Sequence, residues 1–169
     1  VSGVIPCTNE QFGTDPKPFS LKSCRCTTDA VSFVDDVTTI ITAAGGAGIT
    51  AKTAEEIRQA GVDAITLGDH VWDQMGFDRE IDQLDFVCRP ANLPSSNPGK
   101  DYLILDSGGF KVGLFTVLGR TFMGPKVSCP FEKADQLVER LTGETDALLA
   151  EIHAETTSEK ESIGWHLDG

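Results

Sequence analysis

The chain has 169 residues, of which 40% are hydrophobic and 24% charged, the profile of one globular domain rather than two. Its 14 basic and 26 acidic side chains leave a formal charge of −12, which excludes DNA or an anionic membrane surface as the main partner. No apolar run reaches the roughly 18 residues that span a bilayer, and Val1-Ser2-Gly3-Val4-Ile5-Pro6 lacks the features of a secretory signal, so a cytoplasmic location is expected.

Residues 1–30 carry scattered proline, glycine and hydroxyl residues without a sustained period, the pattern of a loop or disordered segment. Cys7, Cys24, Cys26, Cys88 and Cys129 are odd in number and irregular in spacing, which argues against a disulfide framework. Cys24-Arg25-Cys26 has no second pair to complete a tetrahedral zinc site. Residues 31–44 are β-branched and apolar and suit a strand that Gly45-Gly46-Ala47-Gly48 ends. That glycine run lacks the lysine and hydroxyl of a phosphate loop.

Thr53-Ala54-Glu55-Glu56 has capping-box spacing, predicting a helix from about Thr50 or Thr53 to Gln59 with Gly61 past its end. A strand over 63–67, a short helix over 75–84 and a strand over 85–88 follow. Residues 102–106 and 110–118 read as strands of an antiparallel hairpin turning at Ser107-Gly108-Gly109. Pro130 opens a helix whose stripe is Ala134, Leu137, Val138 and Leu141. A strand over 146–152 comes next, then a helix from near Ser158, where Ser158-Glu159-Lys160-Glu161 is another capping pattern. Helices alternating with strands, plus one hairpin, predict an α/β protein with a mixed sheet.

Chemistry concentrates where predicted strands end, because ligands of open α/β sheets collect outside the carboxyl ends of their strands. Leu67-Gly68-Asp69-His70 places a carboxylate and an imidazole on a turn after an apolar run. Asp69 suits a divalent cation, and His70 suits either ligation or general acid catalysis; a capping Asp beside a half-exposed His is the plain structural alternative. His153 and Glu155 form a second pair, two positions apart and so on one face of a strand, against the alternative of an edge histidine with a solvated glutamate. Arg89-Pro90-Ala91-Asn92 and Gly119-Arg120-Thr121 end two further strands; their arginines suit phosphate oxygens or a structural carboxylate partner. His166, beside Trp165, reads as structural.

These segments carry a family resemblance. Ala43-Ala44-Gly45-Gly46-Ala47-Gly48-Ile49-Thr50, Leu67-Gly68-Asp69-His70-Val71-Trp72-Asp73, Arg89-Pro90-Ala91-Asn92, Leu118-Gly119-Arg120-Thr121-Phe122-Met123, and His153-Ala154-Glu155-Thr156-Thr157-Ser158-Glu159-Lys160 with Gly164-Trp165-His166 resemble bacterial calcineurin-like metallophosphoesterases of the 2′,3′-cyclic-nucleotide 2′-phosphodiesterase-like group. The resemblance divides the chain into a divergent or poorly ordered segment, 1–42, and a partial metallophosphoesterase domain, 43–169. It implies an incomplete mixed β-sheet sandwich flanked by helices, with two divalent ions of iron or manganese type at the strand ends. Hydroxide activated by the two ions would attack the phosphoryl group of a small phosphorylated substrate such as a cyclic nucleotide or phosphomonoester. Asp69 and His153 match metal ligands, and His70 matches the general acid.

The sequence departs from that pattern in three places. The family has Asn at the position of Asp69. Its opening Gly-Asp strand and Asn-Gly-Glu-Asn segment are missing from 1–42, and its Gly-Thr-His-Thr-His segment is absent; Val1 is not an initiator methionine and the chain stops at Asp168-Gly169 just after a well-patterned segment, so both ends read as cuts. Two functions follow as expectations: a metal-dependent phosphoesterase, or a truncated, inactive remnant acting through protein contacts. Missing strands would leave sheet edges open, which predicts homo-oligomeric pairing.

Overall fold

In a computed structural model, the structure describes the backbone of residues 40–42 and residues 48–168. The chain runs β1 (Ile40–Thr42), α1 (Ala51–Gln59), β2 (Ala64–Thr66), α2 (Phe77–Glu80, continuing as a 3-10 turn over Ile81–Gln83) and β3 (Val87–Cys88). There follow β4 (Leu103–Ser107), β5 (Phe110–Leu118), α3 (Pro130–Thr142), β6 (Ala147–His153) and α4 (Thr157–Leu167). Of the strand expected over 31–44, the described part is β1; the rest, with Cys7, Cys24 and Cys26, lies outside the described residues.

The strands form two three-stranded sheets. The first is parallel in the order β1-β2-β3, and the second is mixed in the order β4-β5-β6. This is the α/β arrangement of sheets flanked by helices that the sequence predicts. The hairpin is legible in its turn: Ser107 pairs with Phe110 across Gly108 and Gly109, both at positive φ (61° and 95°), as a two-residue connection twisted like its strands requires. Asp106 Oδ1 accepts from the Gly109 N–H at 2.8 Å and closes the turn.

Strand β5 is the spine, buried from Val112 to Leu118. Its two faces go to different layers because successive side chains point to opposite sides. Phe115 and Val117 pack with Ala134, Leu137 and Leu141 of α3 and Ile163 of α4. Leu114 faces the other way and meets Ala64, Cys88 and Leu103, so this small cluster joins the two sheets. A separate core of Ile65, Val71, Phe77, Ile81 and Val87 lies on the first sheet with α2. Each fully buried aliphatic or aromatic side chain contributes about 1.5–3 kcal/mol by leaving water.

Two helix starts differ in detail from the local patterns. Helix α1 is capped by Thr50, whose Oγ1 accepts from the Thr53 N–H at 3.1 Å, so Thr53 is inside the helix and receives the cap. Helix α4 is capped by Thr156 rather than Ser158; its Oγ1 accepts from the Glu159 N–H at 3.4 Å. The reason for that register is tertiary and lies at the strand ends.

Candidate functional site

The C-terminal end of β2, in the first sheet, meets those of β5 and β6, in the second, where the two sheets pack together. Register fixes this: β6 runs parallel to β5, pairing Leu118 with His153, and the Gly119 N–H donates to the His153 carbonyl at 2.9 Å. The face of β6 that carries Glu151 and His153 turns toward the first sheet. Glu151 Oε2 accepts the hydroxyl protons of Thr66 on β2 and of Thr116 on β5, the latter at 2.8 Å. Both threonines are fully buried, so a glutamate bonded to them ties the sheets together directly beneath the strand ends.

On that platform the two predicted half-sites meet. His153 Nε2 lies 3.0 Å from Asp69 Oδ1, although the residues are 84 positions apart. Gly68 makes the approach possible, since a Cβ there would lie 2.5 Å from His153 Cε1 and 2.8 Å from its Nε2. The other ring nitrogen, Nδ1, is 4.0 Å from Glu151 Oε1, which places a carboxylate behind the ring. The aspartate and the histidine are both about a quarter exposed, their side chains at 20% and 32%.

His70 stands at the solvent side of the same turn. Its Nδ1 donates to Asp73 Oδ2 at 2.6 Å, and its Nε2 is 3.8 Å from Asp69 Oδ2. The Asp73 hydrogen bond, with the charges of Asp69 and Asp73, holds the imidazole above its ordinary pKa and favours the protonated ring. Asp73 therefore fixes which nitrogen is engaged and leaves Nε2 as the one free to exchange a proton with a ligand.

The remaining strand-end residues sort by their contacts. Arg89 is buried and donates to the carbonyls of Pro98 (3.1 Å) and Pro90 (3.0 Å), a structural role. Asn92, also buried, bonds the carbonyl and N–H of Leu118 (2.8 Å each) and the Ser128 carbonyl (3.2 Å), so it braces the end of β5. Arg120 is exposed, and its guanidinium has no ion pair or hydrogen bond among the described residues. His166 bonds Asp135 at 2.7 Å and sits edge-on to Phe131, consistent with a structural histidine.

Glu155 does not share a face with His153. Strand β6 ends at His153, and Glu155 lies in the exposed bend before α4. The same-face partner two positions away is Glu151, on the strand side. Alternation read backward from His153 points to Glu151, while alternation read forward passes the strand's end.

A metal shell fits this geometry in part. An acidic oxygen and an imidazole nitrogen form a donor set suited to first-row divalent ions. Two donors about 2.1 Å from an ion and at right angles across it stand about 3 Å apart, the separation seen between Asp69 and His153. Among the described residues no group of three or more His, Cys, Asp or Glu side chains converges to hold an ion. Cys88, a free thiol where the two sheets meet, is buried and pushed up to about 12 by burial first and by Glu151 and Asp101 next, so it supplies no thiolate.

Comparison with known proteins gives a consistent answer. Residues 31–169 match the family described as YmdB-like protein. The 2′,3′-cyclic-nucleotide 2′-phosphodiesterase of Bacillus subtilis (strain 168) is 39% identical over 127 residues, covering 75% of this chain and 48% of that protein. A hypothetical protein from Thermus thermophilus, known from its crystal structure, superposes with a TM-score of 0.69 at 36% identity, covering 78% of this chain and 52% of the other. The crystal structure of a novel phosphatase from Mycoplasma pneumoniae superposes at 0.64 with 30% identity, covering 72% and 44%. The chain thus spans about half the length of the relatives it matches.

Proposed function

The chain belongs to the YmdB-like protein family, and from that premise we propose that it contributes part of the active site of a metal-dependent phosphoesterase acting on cyclic nucleotides or other small phosphate esters. The observation that carries this reading is the 3.0 Å contact of Asp69 with His153, two strand-end residues from distant parts of the chain, with His70 on the same turn.

Asp69 Oδ1 and His153 Nε2 are the atoms that would hold a divalent ion, in a complete centre one of two. Ligation through Nε2 would require that nitrogen to be unprotonated, so an entering ion would replace the present contact with Asp69. Divalent ions at such a site draw charge from a phosphoryl oxygen and lower the pKa of bound water. Every other part of the work falls to side chains. Glu151, anchored by Thr66 and Thr116, stands behind the His153 ring and limits its rotation. His70, oriented through Nδ1 by Asp73, presents Nε2 to the leaving oxygen as a proton donor. Arg120 offers an exposed guanidinium to the remaining phosphate oxygens.

The homologous phosphodiesterase and phosphatase support the substrate class by what they are named to act on. A cytoplasmic setting belongs to the same reading. No helix among the described residues is long and apolar enough to cross a membrane. Self-association through a sheet edge is also part of it, since β4 and β6 are the outer strands of the second sheet among the described residues.

The test is metal content together with hydrolysis of a generic aryl phosphodiester by the full-length protein. Bound iron or manganese is expected, with kcat falling by about 10²–10⁴-fold in His70→Ala while metal content holds. His153→Ala is expected to lose metal and activity together. A well-folded protein that binds no divalent ion would instead fit an inactive remnant.

A further inference from the structure

We propose that Phe122 is the surface on which the base of a nucleotide substrate stacks, an inference that rests on the phosphoesterase reading above. Phe122 has a φ of 62° and is the one non-glycine residue with positive φ among the described residues. A bulky side chain is rarely tolerated in the left-handed region, and such strain persists only where surrounding structure enforces it. Burial is not the compensation, because Phe122 is 87% exposed. Met75 and Trp165 are exposed as well, yet both have ordinary backbones.

The surroundings that enforce the strain belong to the candidate site. The Gly119 N–H is bonded to the His153 carbonyl. The next two N–H groups, of Arg120 and Thr121, donate to the carboxylate of Glu159 at 2.8 and 3.0 Å. Gly119 lies so close beneath them that a Cβ would sit 2.6 Å from the Ala154 Cβ and 2.7 Å from Glu159 Oε2. Three successive residues are therefore pinned to the junction of β6 and α4, and Phe122 is the first one released. Three residues of chain reach at most about 11 Å, which keeps the Phe122 backbone within that distance of Gly119, whose N–H is bonded at the His153 end of the site. Arg120, exposed and unpaired among the described residues, lies in the same segment. An exposed cation two residues from an exposed aromatic ring matches a ligand with a phosphate at one end and a planar base at the other. Stacking of this kind tolerates any base, because every base offers a π-face.

Calorimetric titration of the full-length protein with adenosine 3′-phosphate and with glycerol phosphate separates the two ends of the ligand. The wild type is expected to bind the base-bearing phosphate roughly tenfold more tightly. Phe122→Ala should erase that preference and leave glycerol phosphate binding unchanged. Phe122→Gly should do the same and raise the melting temperature, since glycine adopts a left-handed backbone without strain. A Phe122→Ala protein that keeps its base preference, or a wild type that shows none, overturns the proposal. So does a lowered melting temperature in both variants with base preference intact, the result expected if the ring serves packing rather than ligand binding. Failure of the hydrolase reading looks different: the metal-loaded wild type then leaves an aryl phosphodiester intact, whereas a failed platform leaves that hydrolysis untouched.

Discussion

Gly68 holds its position because of His153, a residue far away in the chain. Any side chain there would displace the His153 ring, which lies within 3.0 Å of where a Cβ would be. The Gly68 backbone is not in the left-handed region, so alanine is acceptable to the chain itself and the damage falls on the histidine. Gly68→Ala should therefore cost about tenfold or more in divalent-ion affinity while changing the melting temperature little; ion titration and thermal denaturation of the same sample check this. Glu159 makes a second residue-level prediction. Burial pushes its carboxyl up, but the N–H groups of Arg120 and Thr121 and the hydroxyls of Thr156 and Thr121 together outweigh that and hold it below the ordinary value of 4.5. The folded state thus favours the ionised form. The stability this gives is complete above the ordinary value and is lost as pH falls through the lower folded one. Melting temperatures measured from neutral pH into acid should drop more steeply for the wild type than for Glu159→Gln. Asp69, His70 and His153 could be singled out in the sequence because each follows a largely apolar run that reads as a strand. Glu151 could not, because a glutamate inside such a run reads as an edge residue until the hydroxyls of Thr66 and Thr116 are found opposite it.

The start of α4 shows where element-level reading stops. Thr156-Thr157-Ser158-Glu159 and Ser158-Glu159-Lys160-Glu161 both satisfy the capping pattern, and nothing local chooses between them. The choice is made by the β5 loop, whose two N–H groups require Glu159 in the first turn. Thr156→Ala should cost about 1 kcal/mol in chemical denaturation, the usual worth of an N-cap, and Ser158→Ala close to nothing. The β4-β5 hairpin and α3 were readable because their signals are local: two glycines in the turn, and an apolar stripe behind Pro130. Asn92 lies between these cases. The motif that contains it marked a strand end, but its contacts with Leu118 and Ser128 join segments 26 and 36 residues away. Asn92→Ala leaves the buried Leu118 groups without a partner and should destabilise the fold by about 3 kcal/mol, measurable by urea denaturation.

At the scale of the molecule, the site exists only where two sheets join. Asp69 follows a strand of the first sheet and His153 ends a strand of the second. The sheets are held by the cluster of Ala64, Cys88, Leu103 and Leu114 and, nearer the site, by the Glu151 carboxylate. Composition and periodicity revealed an α/β protein, but which strand ends would face each other depends on packing between sheets, a long-range property that periodicity does not encode. We propose that Asp69 and His153 are two ligands of one ion. Calorimetric titration of Mn2+ into the full-length protein, as wild type, Asp69→Ala, His153→Ala and the double variant, tests it most directly. Each single substitution should weaken the tightest binding by about tenfold or more, and the double variant should be little worse than the weaker single one, because ligands of a shared ion act as a unit. Unchanged Mn2+ affinity in either single variant would contradict the claim.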